Sequence, residues 1–207
     1  VNNGDLGQYN NFSISVWVNF DTFSNGLSCV MSNNLDNSGF GLELANNTNQ
    51  LAFWVGNGVT NVPVVTEGLQ SDIWYHIVAT NDGEYSRIYV NGQFQNSTLV
   101  QPFYPQPEQL RIGNHTYINN DDRYMDGYLD EIVIWNDSLN ETEILKLYND
   151  GYGIDALQNN DNYTSSNSLW GYWKFEEGSG EILLDSSINN HHGILNNMDN
   201  SNWIIRE

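Results

Sequence analysis

Three pairs of neighbouring side chains in this sequence could do acid–base or metal chemistry: Asp130-Glu131 in "GYLDEIVIW", Glu176-Glu177 in "YWKFEEGSG", and His191-His192 in "NNHHG". Spacing argues against all three. On a strand, successive side chains point to opposite faces, so adjacent carboxylates do not share a groove. The positions two and four beyond Asp130 are Ile132 and Ile134, which leaves no second acid on its face. Glycoside hydrolysis needs two carboxyl groups flanking one bond, so a glycosidase here would draw its acids from separate strands. Adjacent histidines likewise diverge in an extended segment, whereas a helical zinc pair sits at i, i+4. His76, inside "WYHIVAT", reads as a core or edge histidine with a hydrogen-bonded neighbour. No nucleophile-elbow signature accompanies any Ser, His and Asp. Cys29, in the apolar run "LSCVM", reads as a small buried hydrophobe.

Calcium is the metal that the remaining chemistry suits. It takes six to eight oxygens from carboxylates, amides and backbone carbonyls, and Asn- and Asp-rich loops supply them. The acidic cluster "NNDDRYMDG", with Asp121, Asp122 and Asp126, fits either a solvated loop or part of a calcium site on the ligand side. Sugar binding would use exposed aromatic faces, with Asn and Asp accepting and donating at the hydroxyls. Trp17 stands out because it shares a strand face with Ser13, Ser15 and Asn19; Trp54, Tyr117 and Tyr124 sit near loops.

These side chains are carried by strands. "FSISVWVNF" alternates with period two, placing Phe12, Ile14, Val16, Val18 and Phe20 on one face, which predicts a half-buried strand. "FGLEL" and "QLAFWVG" form a hairpin across "ANNTN". "IWYHIVAT", "EYSRIYV" and "QFQNST" form a meander through the Asp-Gly and Asn-Gly turns, whose residues tolerate positive φ. "QPFYPQPEQ" is a loop, because proline cannot donate to a ladder. Short strands follow at "LRIG", at residues 127–135 and at "LWGYWKF". One helix is expected in "NETEILKLYNDG": Asn140 caps it, Glu143 completes a capping box, Ile144, Leu147 and Tyr148 form one stripe, and Gly151 closes it. The polar run 155–168 reads as a flexible connection and 169–207 as a closing strand and loop. The expected fold is an all-β antiparallel two-sheet jelly-roll sandwich with one short helix, occupying residues 1–207 as a single domain.

Composition excludes two partner classes. With 26 acids against 6 Lys and Arg, the net charge of -20 repels nucleic acid and anionic membrane. No apolar run approaches a membrane span, so membrane insertion is not expected. One cysteine forms no internal disulfide. Val1 in place of Met reads as a processed product or an excised segment, and the acidic, Asn-rich surface suits an extracellular or surface-exposed protein.

The ordered set "IWYHIVATNDGEYSRIYVNG", "LRIG" and "MDGYLDEIVIWNDSLNETEILKLYNDG" resembles the laminin-G-like or concanavalin A-like jelly-roll domains. "YWKFEEGSG" followed by "DSSINNHHG" is similar to the same family's aromatic strand, Glu-Gly-x-Gly turn and Asp-x-Ser-x-Asn loop, here at the C-terminal side instead of leading. The resemblance implies a non-catalytic recognition module for a glycan, with a structural calcium. It implies ligands at Asp185 and Asn189, carbonyls of Ser187 and His191, and Asp130 from the facing strand. Ile188 stands where many members carry glycine. The alternative occupant of Asp185 is its own turn, with the carboxylate capping backbone N–H groups. The alternative function is a structural or protein-binding module of a cell-surface or virion assembly.

Overall fold

The computed structural model describes residues 10–23, 28–33, 37–45, 48–100, 103–104, 109–115 and 123–204. Tyr117, Asp121 and Asp122 lie outside the described residues.

Two antiparallel sheets face each other. Their strands are β1 (Asn11–Phe20), β2 (Cys29–Ser32), β3 (Phe40–Leu44), β4 (Leu51–Gly56), β5 (Asn61–Val65), β6 (Trp74–Asp82), β7 (Tyr85–Val90), β8 (Gln93–Leu99), β9 (Arg111–Ile112), β10 (Gly127–Trp135) and β11 (Leu169–Trp173). The first sheet runs β11-β10-β1-β6-β7-β8 and the second β5-β4-β3-β2-β9. A two-stranded hairpin, β12 (Ile182–Leu183) with β13 (Gly193–Ile194), lies beyond β11. Helix α1 spans Glu141–Tyr148.

The alternation read in β1 sets the core. Phe12, Ile14, Val16, Val18 and Phe20 are buried against Phe40, Leu42 and Phe53 of the second sheet. The Phe12 ring lies 5.3 Å from Phe40 and 5.2 Å from Phe103. Trp170 and Trp173 of β11, with Leu183, join the same core.

The other face of β1 is not solvated, as a half-buried strand would have it. Helix α1 and the segment after it cover the outer face of the first sheet with a second apolar cluster, in which Val78, Val133 and Tyr172 meet Ile144, Leu147 and Tyr163. Residues 155–168, expected to be a flexible connection, are instead pinned here. Tyr163 is fully buried, its hydroxyl donates to the Ala156 carbonyl at 2.9 Å, and it accepts from Trp135 Nε1 at 2.9 Å.

The helix begins where the sequence says. Asn140 Oδ1 accepts from Thr142 N and Glu143 N at 3.0 and 3.1 Å, and Glu143 Oε2 accepts from Asn140 N at 3.3 Å. It stops earlier than expected, because Asn149 turns left-handed (φ 46°), ahead of Gly151. Four strands escape the sequence pattern: β2, β5, β12 and β13. β2 is a short buried run without alternation, and β5 holds Pro63, which an edge strand tolerates.

Two glycines of the first sheet are forced by close approach. Gly127 opens β10 at φ 140°, where a Cβ would lie 2.0 Å from the Asn19 carbonyl oxygen. Gly171 makes room for an indole: a Cβ there would stand 2.5 Å from the Trp173 ring.

Candidate functional site

The Asp185 loop is self-contained. Asp185 Oδ1 accepts from Tyr172 N and Ser187 N, and Oδ2 from Ser187 Oγ and His191 N, all at 2.8 Å. A carboxylate offers about four lone-pair positions, and here protein donors fill them. Asn189 Nδ2 donates to the Leu169 and Trp170 carbonyls at 2.8 and 3.1 Å, and the His191 carbonyl accepts from Trp173 Nε1 at 3.0 Å. A calcium ion centred on Asp185 would have to displace these donors, so the donor set does not fit the ion. Among the described residues, no group of three or more His, Cys, Asp or Glu is placed to hold a metal. The loop's left-handed residue is Asn190 (φ 58°), not Ile188, which is 93 % exposed. The departure from glycine at that position is therefore tolerated.

The two histidines diverge as expected. The His191 ring packs 4.1 Å from Trp170 with Nδ1 at 2.8 Å from the Trp170 carbonyl, while His192 Nδ1 accepts from Asp185 N at 3.0 Å. His76 is buried, with Nε2 at 2.8 Å from Ser15 Oγ. Cys29 is buried, and burial pushes its thiol pKa well up.

Asp130 and Glu131 correct the argument from strict alternation. The β1–β10 register slips between Ser15 and Trp17, and Glu131 takes a left-handed φ of 50°. This is a β-bulge. Leu129 and Ile132, three residues apart, both face the core, so both acids lie on the side away from it. Tyr172 donates its hydroxyl to Glu131 Oε2. Burial and then the Glu131 charge push the Tyr172 pKa far up, keeping the phenol protonated.

β11 covers β10 only from Ile132 onward. Beside residues 127–131 a groove of about 1530 Å³ opens, walled by β9, by the residues after β11 and by the segment 192–204. Five aromatic residues line it: Trp74, Tyr124, Tyr128, Phe175 and Trp203. Tyr124 is 60 % and Tyr128 37 % exposed, and the Trp74 and Tyr128 rings lie 6.5 Å apart at 44°. Both flank Asn19 in register across β1. Asp130, Glu131 and Glu176 supply carboxylates.

Of the residues proposed for ligand contact, the groove gathers Tyr124, and Asp130, expected as a calcium ligand, lines it too. Asp126 stands next to it, with Oδ2 accepting from Thr22 Oγ1 at 2.8 Å. Trp54 lies on the second sheet, paired between Gly41 and Pro63. Trp17 is only 5 % exposed: its ring packs 5.1 Å from His76 and 6.0 Å from Tyr148 of α1. The helix, not a sugar, covers it. Trp74, Tyr128 and Trp203 were not singled out from the sequence for ligand contact, and Glu176 was considered there only as half of an acid pair. The position of Tyr128 and Trp74 opposite Asn19, on the solvent-side period of three strands, was the signal available.

A family model described as the concanavalin A-like lectin/glucanases superfamily, of laminin-G type, matches residues 1–145. The chain belongs to this superfamily. No curated protein matches it. Among solved structures, a candidate carbohydrate-binding protein from Bacteroides ovatus ATCC 8483 superposes with a TM-score of 0.68 at 20 % identity, over 90 % of this chain and 52 % of that one. The chain thus spans about half the length of that relative. The heptameric SAP-like pentraxin of Limulus polyphemus gives 0.54 at 12 % identity, over 80 % of each chain. The CBM40 of the Ruminococcus gnavus IT-sialidase, bound to α2,3 sialyllactose, gives 0.56 at 11 % identity over 66 % of this chain and 82 % of that one. At these identities the likeness is one of fold.

Proposed function

We propose that this superfamily member is a non-catalytic glycan-binding module acting at the cell surface or outside the cell, and that the groove beside residues 127–131 is its binding site. The observation that carries this reading is the aromatic lining interleaved with carboxylates. Flat rings present apolar faces to pyranose C–H groups, and carboxylate oxygens accept from hydroxyls. The glycan-binding names of two structural neighbours support it at the level of fold. Catalysis is left out because Glu131 is held by the Tyr172 hydroxyl. Calcium is left out of the groove, and the Asp185 loop is read as held by hydrogen bonds.

The test is a glycan array run on the whole chain, with and without calcium. Tyr124→Ala and Trp203→Ala should each weaken binding about tenfold or more with the melting temperature nearly unchanged. An array blank under both conditions overturns the reading, and reducing sugar released from a polysaccharide panel would overturn its non-catalytic part.

A second reading has its own observation. Ile182 and Ile194 pair across the β12–β13 hairpin at 46 % and 72 % exposure, an apolar spot that suits a protein partner. Concentration-dependent self-association, abolished by Ile194→Lys, would favour a structural module of a surface or virion assembly.

A further inference from the structure

Resting on the glycan reading above, we infer that the groove takes uncharged oligosaccharides and turns away sialylated or sulfated ones. Sugar anions are held by guanidinium forks or clustered N–H donors. The groove offers carboxylates instead. Glu176 is exposed on its wall, and the bulge at Glu131 sets Asp130 and Glu131 on one side of β10.

Among the described residues, two cations line the groove, and each has a protein partner. Lys174 Nζ lies 3.1 Å from Asp155 Oδ2 and 5.2 Å over the Tyr172 ring, and Arg111 donates to the His115 carbonyl at 3.5 Å. His192 Nδ1 accepts the Asp185 backbone N–H at 3.0 Å. The chain around the groove adds a net charge of -20, so the long-range field opposes an approaching anion as well. Neutral hydroxyls meet no such opposition, because carboxylates are acceptors that hydroxyls satisfy.

The experiment uses an array of matched pairs, each neutral oligosaccharide beside its sialylated or sulfated derivative on the same core. In low salt the neutral member of a bound pair should bind about tenfold or more tightly than its acidic partner. Raising salt to about 0.5 M should narrow that ratio, because screening weakens exposed charges. Glu176→Gln should narrow it in low salt as well. Equal or tighter binding of the acidic members overturns this inference and leaves the glycan reading standing. A ratio unchanged in Glu176→Gln places the discrimination outside the groove and also overturns it. A blank array on neutral and acidic members alike removes the glycan reading, and this one with it.

Discussion

Removing the Asp185 carboxylate would strand four donors at once in a buried turn. Asp185→Ala should therefore cost about 2–4 kcal/mol in urea denaturation, and Asp185→Asn less, since one oxygen still accepts. Because protein donors fill that carboxylate, melting curves recorded with calcium and with a chelator should coincide. A separation of several degrees would show a bound ion. Glu143 is the second residue with a measurable signature. Burial alone would raise its pKa, but hydrogen bonds from Ser165, Thr164 and Asn140 outweigh it and hold the pKa below the ordinary 4.5. A folded pKa below the unfolded one gives stability that is present above about 4.5 and lost as pH falls through the lower folded value. Glu143→Gln should flatten the acid limb of stability against pH; an unchanged limb would refute this role. Glu143 was legible as a capping-box residue, but its bonds to Thr164 and Ser165 were not, because they join positions about twenty residues apart across a loop.

At the scale of elements, strands with strict alternation or Asp-Gly and Asn-Gly turns were readable to within a residue or two. β10 matches its expected bounds of 127–135. The strands that were missed lack both signals: β2 is four residues long, β5 contains Pro63, and β12 and β13 are two residues each. The bulge at Glu131 was also invisible, since a glutamate at positive φ has no sequence mark. That single residue reverses the conclusion about which face the acid pair occupies. The groove was legible only in part, because its walls come from β9, β10 and the segment 192–204, distant in sequence. Gly127 tests the element that positions them. Gly127→Ala forces a Cβ toward the Asn19 carbonyl, so the start of β10 must separate from β1. It should cost about 2 kcal/mol or more and weaken ligand binding along with stability. Full stability with full binding would show that the strand start is not what shapes the groove.

For the whole molecule, charge and topology dominate. A net charge of -20 on 207 residues repels itself in the folded state. Raising salt from about 0.01 to 0.15 M shortens the screening length from about 30 to 8 Å, and should raise the melting temperature by a few degrees. A flat or falling trend would mean that local ion pairs outweigh the general repulsion. The central place of β1 bears on how the chain is made. Residue 13 pairs with residue 135 on one side and residue 80 on the other, so β1 leaves the ribosome well before either of the strands that enclose it. At about 5–20 residues per second the wait for β10 is roughly 6–25 s. Throughout it the edge of β1 that β10 will pair with stays open to other chains. A slowed ribosome would lengthen that exposure, and crowding of nascent chains would punish it with aggregation.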